Sequence, residues 1–159
     1  MAIAMLNIAN IFYIKELFSD FNIGDYVSFR FGKQTVSWGV GYFYSPADVI
    51  NLTRINPEDP TAQVEGPLAL RTQIVFPGTQ HAIWAYIIPD NDFAAAAQGV
   101  GPYLKNTAFA LKGDILIGDF EFGLGAWYKN QNPAKFMLTT TGTIFRTYSI
   151  FSELVLSLG

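Results

Sequence analysis

Alternation of apolar and polar side chains is the feature that most restricts how this chain can fold. The segment YVSFRF at residues 26–31 places an apolar side chain at every second position from Val27 onward. Ser28 and Arg30 occupy positions between them. A period of two predicts a β-strand that separates an apolar environment from a polar one.

The same pattern along the chain predicts eight strands joined mainly by alternating short and long connections. Residues 20–25 have the composition of a hairpin turn, and residues 39–66 and 89–106 are predicted as long loops. The facing of the first strand is ambiguous, because residues 11–14 are all apolar or aromatic. The predicted strands span residues 8–18, 26–39, 68–76, 81–88, 107–117, 120–128, 135–141 and 147–157.

Composition favours a membrane environment for these strands. Only 14% of the residues are charged, against about 25% in an average globular protein. No apolar run approaches the roughly 20 residues of a spanning helix, and a closed barrel is the other structure that can cross a bilayer. Short turns that alternate with longer loops are typical of outer-membrane barrels. We therefore predict an all-β fold over residues 1–159, either an antiparallel up-and-down transmembrane β-barrel or an eight-strand portion of a larger one.

Aromatic residues near the predicted strand ends suit the interfacial girdles of such a barrel, where an amphipathic ring bridges lipid tails and headgroups. They are Tyr26, Trp38, Tyr103, Trp127, Tyr128 and Tyr148.

The second strand and the loop after it carry a sequence motif. It consists of Gly32, Lys33, Gln34, Trp38 and Gly39, followed by Ser45, Pro46, Asp48 and Asn51. This GKQ…WG…SPxDxxN pattern resembles porin-like β-barrels of bacterial outer membranes, a set of poorly characterised families. The resemblance implies location in the outer membrane, contact with the lipid bilayer and passage of small solutes.

Several other functions find no support in the sequence. The chain has no cysteine, a net charge of −3 and a single histidine, His81. Nucleic-acid binding would require a basic face, and a catalytic triad or histidine metal site would require partners that His81 lacks. The acids Asp48, Glu58 and Asp59 match no calcium-loop spacing. We expect no enzymatic activity, metal or cofactor.

Charged and amide side chains on the polar faces of the strands form a candidate pore lining. A transmembrane wall admits charges only toward water or a paired partner. These residues either form ion pairs that brace the wall or line a solute path, and we expect Arg30 and Arg71 to face acids such as Glu16 or Glu153. The candidates are Glu16, Arg30, Gln34, Arg71, Gln73, Lys112, Asp114, Glu121 and Glu153.

The first long loop is predicted to constrict the lumen. Ser45 can cap a helix, Pro46 suits its first position, and Asp48 lies near its positive end, which predicts a short helix over residues 46–52. The apolar side chains of this helix need a covering surface. The predicted constriction consists of Ser45, Pro46, Asp48, Ile50 and Asn51.

The function predicted from these features is a passive channel or porin-like uptake pathway for small solutes. The alternatives are a soluble lipocalin-like barrel that binds an apolar ligand and a non-conducting structural barrel of the envelope. Alternation cannot say which face is outside. Eight strands would enclose an interior filled by side chains, and the charged faces suit a wider lumen, so we expect more than eight strands in the native barrel.

Overall fold

The chain folds into one antiparallel sheet of eight strands. The computed structural model describes residues 14–40, 45–50, 66–89, 104–145 and 147–159. Neighbours in the sheet are neighbours in sequence, which confirms the all-β up-and-down fold. The strands are β1 Leu17–Ile23, β2 Val27–Lys33, β3 Leu68–Val75, β4 Ala82–Ile88, β5 Ala108–Ile117, β6 Phe120–Lys129, β7 Ala134–Ile144 and β8 Tyr148–Leu158.

Short and long connections lie at opposite ends of the strands. The hairpins β1–β2, β3–β4, β5–β6 and β7–β8 close through short turns at one end. Gly78 and Gly118 lie in two of these turns with φ of 78° and 61°, a backbone region that glycine enters without steric cost. The longest connections, β2–β3 and β4–β5, join the strands at the opposite end. The β4–β5 connection includes a 3₁₀ turn at Leu104–Asn106.

A continuous register separates the side chains of all eight strands onto two faces. Pairing across the sheet places Phe29 and Leu124 on the side that we call the outer face, and Arg71, Lys112 and Glu153 on the opposite, inner face. Every charged residue of the eight strands lies on the inner face except Lys33, the last residue of β2.

The distribution of exposed and buried side chains is the reverse of that in a soluble sheet protein, where the large apolar side chains face a buried core. The buried residues of the strands, such as Ala69, Tyr86 and Met137, lie on the inner face. The outer face is bare, and its exposed large apolar side chains include Phe31, Ile74, Ile83, Ile87, Phe109, Leu111, Ile115, Ile117, Phe122, Leu124, Tyr128, Phe136, Leu138, Leu154 and Leu156.

The sheet is open within the described residues. β1 pairs with β2 and β8 pairs with β7, but β1 and β8 do not pair with each other. An open eight-strand meander is consistent with a portion of a barrel.

The first hairpin corrects two sequence predictions. β1 runs to Ile23, so the turn predicted over residues 20–25 is wrong in its first four positions. The strand predicted over 8–18 overlaps β1 only at its end, and residues 8–13 lie outside the described part. Contacts with β2 explain the shift, because Phe21 stacks on Phe29 with ring centroids 5.0 Å apart and Asp20 pairs with Arg30.

The second strand is shorter than predicted. β2 ends at Lys33 rather than continuing to residue 39. The backbone N–H of Gln34 still reaches the carbonyl of Pro67, at 3.1 Å, but the next N–H, that of Thr35, donates to the side chain of Glu16. The chain thus leaves the sheet because a carboxylate replaces the next backbone partner.

Gly32 is required where β1 and β2 meet. Its φ is 141°, and a Cβ at this position would lie 2.2 Å from the carbonyl oxygen of Leu17 and 2.5 Å from the Cα of Phe18. We predict that Gly32→Ala destabilises the protein by about 1–3 kcal/mol, the usual range for a strained backbone conformation. Denaturant unfolding followed by tryptophan fluorescence measures the change.

Gly113→Ala is the matched control for this substitution. Gly113 lies in β5 with an ordinary φ, and a Cβ at this position would have no other atom within 4 Å. We expect Gly113→Ala to be neutral or slightly stabilising. Equal unfolding midpoints for Gly32→Ala and the unaltered protein would show that β1 is not held against β2 in this way.

Candidate functional site on the inner face

The connection that follows β2 lies on the inner face of the sheet. The fully buried amide of Gln34 begins it, and Nε2 of this residue donates to the carbonyl of Ala69 at 3.0 Å. Val36 and Trp38 are buried, as are Ala47 and Ile50. The described parts of the connection therefore pack against the sheet rather than extending into solvent.

Two carboxylates hold this connection in place. Asp48 Oδ1 accepts the backbone N–H groups of Trp38 at 2.6 Å and Gly39 at 2.9 Å. Glu153, on β8, accepts the N–H of Val40 at 2.6 Å and the N–H of Ala47 at 3.0 Å. Asp48 thus links two parts of the connection to each other, and Glu153 attaches the connection to β8.

Ser45 and Gly39 complete the Glu153 anchor. The Ser45 hydroxyl donates to the Glu153 carboxylate, with its Oγ at 3.1 Å and 3.0 Å from the two oxygens. A Cβ on Gly39 would overlap Ser45 Oγ and lie 2.9 Å from Glu153 Oε1. Residue 39 must therefore be glycine for the hydroxyl to reach the carboxylate.

Trp38 spans the centre of the inner face. Its ring meets Tyr86 of β4 edge to face, with centroids 5.5 Å apart. It also lies over Gly125 of β6, where a Cβ would be 3.2 Å from the indole and 3.3 Å from the Met137 methyl. Glycine at position 125 thus provides the space that the indole occupies.

The aromatic girdle predicted from the sequence is wrong at two positions. Trp38 is buried on the inner face, and register places Trp127 on that face too. Tyr26, Tyr128 and Tyr148 are exposed, and Tyr103 lies outside the described residues. The error arises because a position near a strand end does not by itself show which face of the sheet the side chain occupies.

The predicted helix over residues 46–52 is wrong in its described part. Residues 46–47 form a turn, and residues 48–50 continue without helix. The N–H of Asp48 donates to the Ser45 carbonyl at 3.3 Å, and that of Val49 donates to the Ala47 carbonyl at 2.9 Å. The predicted capping groups bind elsewhere, Ser45 to Glu153 and Asp48 to the Trp38 and Gly39 amides.

The remaining residues of the predicted constriction divide into two groups. Pro46 is half-buried and Ile50 is buried at 5% exposure. Asn51 lies outside the described residues.

The two arginines of the inner face lie directly opposite each other on β2 and β3. Arg30 binds Asp20 through Nε at 2.7 Å and Nη2 at 2.8 Å, and its guanidinium lies 3.8 Å from the centre of the Phe18 ring. The contact partner of Arg30 is Asp20, its direct cross-strand neighbour. Of the two expected acids, Glu16 attracts Arg30 electrostatically without contacting it. Neither expected acid forms an ion pair with Arg71 among the described residues, and both bind groups of the β2–β3 connection.

A second polar cluster lies on β5, β6 and β7. Lys112 Nζ and Asp114 Oδ2 form an ion pair at 3.0 Å, with side chains that are 12% and 8% exposed. Buried Thr139 lies beside them, and a Cβ on Gly123 between the strands would come within 2.5 Å of both Thr139 Oγ1 and Asp114 Oδ1. Glycine at position 123 lets these polar groups share the face.

The other predicted lining residues occupy separate places. Gln73 accepts a long hydrogen bond of 3.5 Å from Ser28. Glu121 lies on the inner face and is exposed, near the short turn between β5 and β6. Glu16 precedes β1, and the Thr35 N–H that it accepts at 2.9 Å lowers the pKa of its carboxyl below the ordinary value.

Sequence reasoning misses three residues of this face. Asp20 falls in the predicted turn, Tyr86 in a predicted strand that is apolar on both faces, and Thr139 carries no charge. The β3–β4 hairpin register, set by the turn at Pro77 and Gly78, is the signal that could have placed Tyr86 opposite Arg71.

Comparisons of the chain with protein-family models, with curated proteins and with solved structures find no match. The likeness to porin-like barrels therefore stays an expectation from the motif residues. Within the described ranges, no group of three His, Asp or Glu residues could hold a metal ion. No helix in those ranges is long and apolar enough to cross a membrane.

Glu153→Gln tests the anchor of the connection. A neutral amide cannot accept the same set of N–H and O–H donors as a carboxylate, and hydrogen bonds to a charged group contribute about 1.5–3 kcal/mol. We predict that hydrogen exchange at the Val40 and Ala47 amides accelerates by about 10- to 100-fold in this variant, since about 1.4 kcal/mol corresponds to a factor of ten.

Glu121→Gln is the matched control, because it removes an exposed carboxylate from the same face. Exchange at Val40 and Ala47 should be unchanged in this control. Unchanged exchange in Glu153→Gln as well would contradict the assignment of Glu153 as the anchor.

Proposed function

We propose that this chain forms part of an outer-membrane β-barrel that acts as a passive channel or porin-like uptake pathway for small solutes. The observation that carries the proposal is the separation of the two faces. Nine charged strand residues share the inner face with the anchored connection, and the outer face carries only Lys33, at a strand end.

The bare apolar face supports a lipid environment. Exposed apolar patches on soluble monomers rarely exceed a few hundred Å². Here large apolar side chains are exposed on the same face of all eight strands, for example Phe21, Ile74 and Leu154. Lipid tails would cover this face without a protein partner, and a lipocalin-like protein would instead turn its apolar side chains inward.

A lipid environment also requires closure of the sheet. Unpaired backbone N–H and C=O groups in hydrocarbon each cost several kcal/mol, and the outward edges of β1 and β8 are unpaired among the described strands. We propose that further strands close the barrel, which then has more than eight. The connection anchored by Asp48 and Glu153 would narrow its lumen.

Leu124→Arg tests the membrane environment directly. Leu124 lies at the middle of β6 on the outer face and is 63% exposed. We predict a destabilisation of about 2–4 kcal/mol in lipid vesicles, the cost of an arginine that faces lipid near the bilayer midplane. The measurement is denaturant unfolding in vesicles, followed by tryptophan fluorescence.

Ile117→Arg is the matched control, since Ile117 is 65% exposed on the same face but lies at the end of β5. Near the interface the cost should fall to about 0–1 kcal/mol. A soluble protein would tolerate both substitutions within about 0.5 kcal/mol. Equal, small effects at the two positions, together with solubility without detergent, would reject the membrane proposal in favour of a soluble barrel.

Conductance distinguishes a channel from a structural barrel. In planar bilayers we expect open-channel currents from the unaltered protein, and Arg71→Glu should shift the reversal potential in a salt gradient toward cation selectivity, because it reverses a charge on the proposed lumen wall. Arg30→Glu should act in the same direction. Absence of current would favour the structural barrel, and unchanged reversal potentials for both variants would place these arginines outside the ion path.

A further inference from the structure

Hydrogen-bond donors outnumber acceptors around Tyr86 on the inner face. Its ring packs edge to face against Trp38, and its direct cross-strand neighbour on β3 is Arg71. Trp38 Nε1 and Arg71 Nε are buried, and neither has a partner at hydrogen-bond geometry among the described residues. Three donor groups, namely the indole N–H, the guanidinium and the phenol O–H, therefore lie in one small region.

Arg71 differs from the neighbouring arginine in its charge balance. Arg30 forms a two-point ion pair with Asp20. The ion pairs found among the described residues leave Arg71 without a carboxylate at contact distance, although it lies directly across from Arg30. Adjacent like charges on paired strands are destabilising, and the buried, unsatisfied Nε–H of the half-buried Arg71 adds a further cost.

Nearby acidic groups do not relieve this imbalance. Asp20 attracts Arg71 electrostatically, but both of its oxygens bind Arg30. Asp48 and Glu153 already accept backbone and hydroxyl donors. No carboxylate in the described part of the chain contacts the cluster, and a small oxyanion would supply both the missing acceptor atoms and the negative charge. Planar guanidinium groups bind carboxylate and phosphate oxygens with paired hydrogen bonds.

We infer that Arg71, Tyr86 and Trp38 form a binding site for an oxyanion, either a carboxylate or a phosphate group of a small solute. Arg71 supplies the charge and at least one N–H, and the indole and phenol donate to the remaining oxygens. The inference rests on the proposed function in one respect, namely that this face is the route by which the solute arrives. It names anionic solutes as the class that the pathway recognises.

Isothermal titration calorimetry on the purified protein in detergent tests the site without requiring conduction. Sodium phosphate and sodium acetate are titrated separately, at constant ionic strength set by sodium chloride. We expect saturable binding of at least one of them. Binding of phosphate alone assigns the site to phosphorylated solutes, binding of acetate alone assigns it to carboxylates, and binding of both assigns it to oxyanions in general.

Substitutions identify the residues responsible. Arg71→Met should weaken binding by about 10- to 100-fold, because it removes a charged donor. Tyr86→Phe and Trp38→Phe each remove one neutral donor and should weaken it by about 2- to 10-fold. Tyr86→Phe removes a single oxygen, so it keeps the test valid if Arg71→Met fails to fold.

Lys135→Met is the matched control. Lys135 lies in the same cross-sheet row of the inner face as Arg71, but on β7, and its removal should leave binding unchanged. Absence of saturable binding, equal weakening in Lys135→Met, or binding that survives both Arg71→Met and Tyr86→Phe would overturn the inference. A protein that binds oxyanions but carries no current would retain the site and lose the channel, and the reverse result would lose the site alone.

Discussion

A register that continues without a break across eight strands is the constraint on which the rest of this structure depends. Because side chains alternate along each strand, a shift of one residue in any pair would move that strand's charges to the opposite face. Arg71 on β3, Lys112 on β5 and Glu153 on β8 share one face only because every intervening pair keeps its alignment. The tight hairpin turns at one end of the strands hold that alignment, and charged residues from distant strands therefore lie on the same inner face.

Local patterns in the sequence predict the sheet well and the path of the long connection poorly. β5 is predicted over residues 107–117 and spans Ala108–Ile117, because alternation and the turn after it are both local signals. The helix over residues 46–52 is predicted from equally local capping rules, and those groups instead bind outside the segment. Ser45 reaches Glu153, which is 108 positions away in sequence. A hydrogen bond of that range leaves no trace in residue spacing, so only the three-dimensional structure can show it.

The motif residues acquire a shared physical role in the fold. Gly39 provides room for Ser45, Gln34 and Asp48 satisfy backbone groups where the connection leaves the sheet, and Trp38 packs over the space at Gly125. Each of these residues positions the connection on the inner face, and none requires a chemical reaction. A motif of this kind describes how a loop is held, and it is compatible with many solutes. The specificity of the proposed site would therefore come from groups that the loop leaves unsatisfied.

Those groups are donors, although the chain as a whole is acidic with a net charge of −3. The loop amides bind Oδ1 of Asp48 and both carboxylate oxygens of Glu153, and Asp20 and Arg30 neutralise each other. A carboxylate that accepts several N–H groups has little remaining capacity to attract a cation, because its lone pairs are directed toward those donors. On the β2–β4 side of the inner face, what remains is the guanidinium of Arg71 with the N–H of Trp38 beside it. Net charge alone would suggest a preference for cations, whereas the local distribution of satisfied and unsatisfied groups favours anions at this position. Recognition in the proposed lumen would follow the local distribution, since nearby groups interact more strongly than charges screened by water.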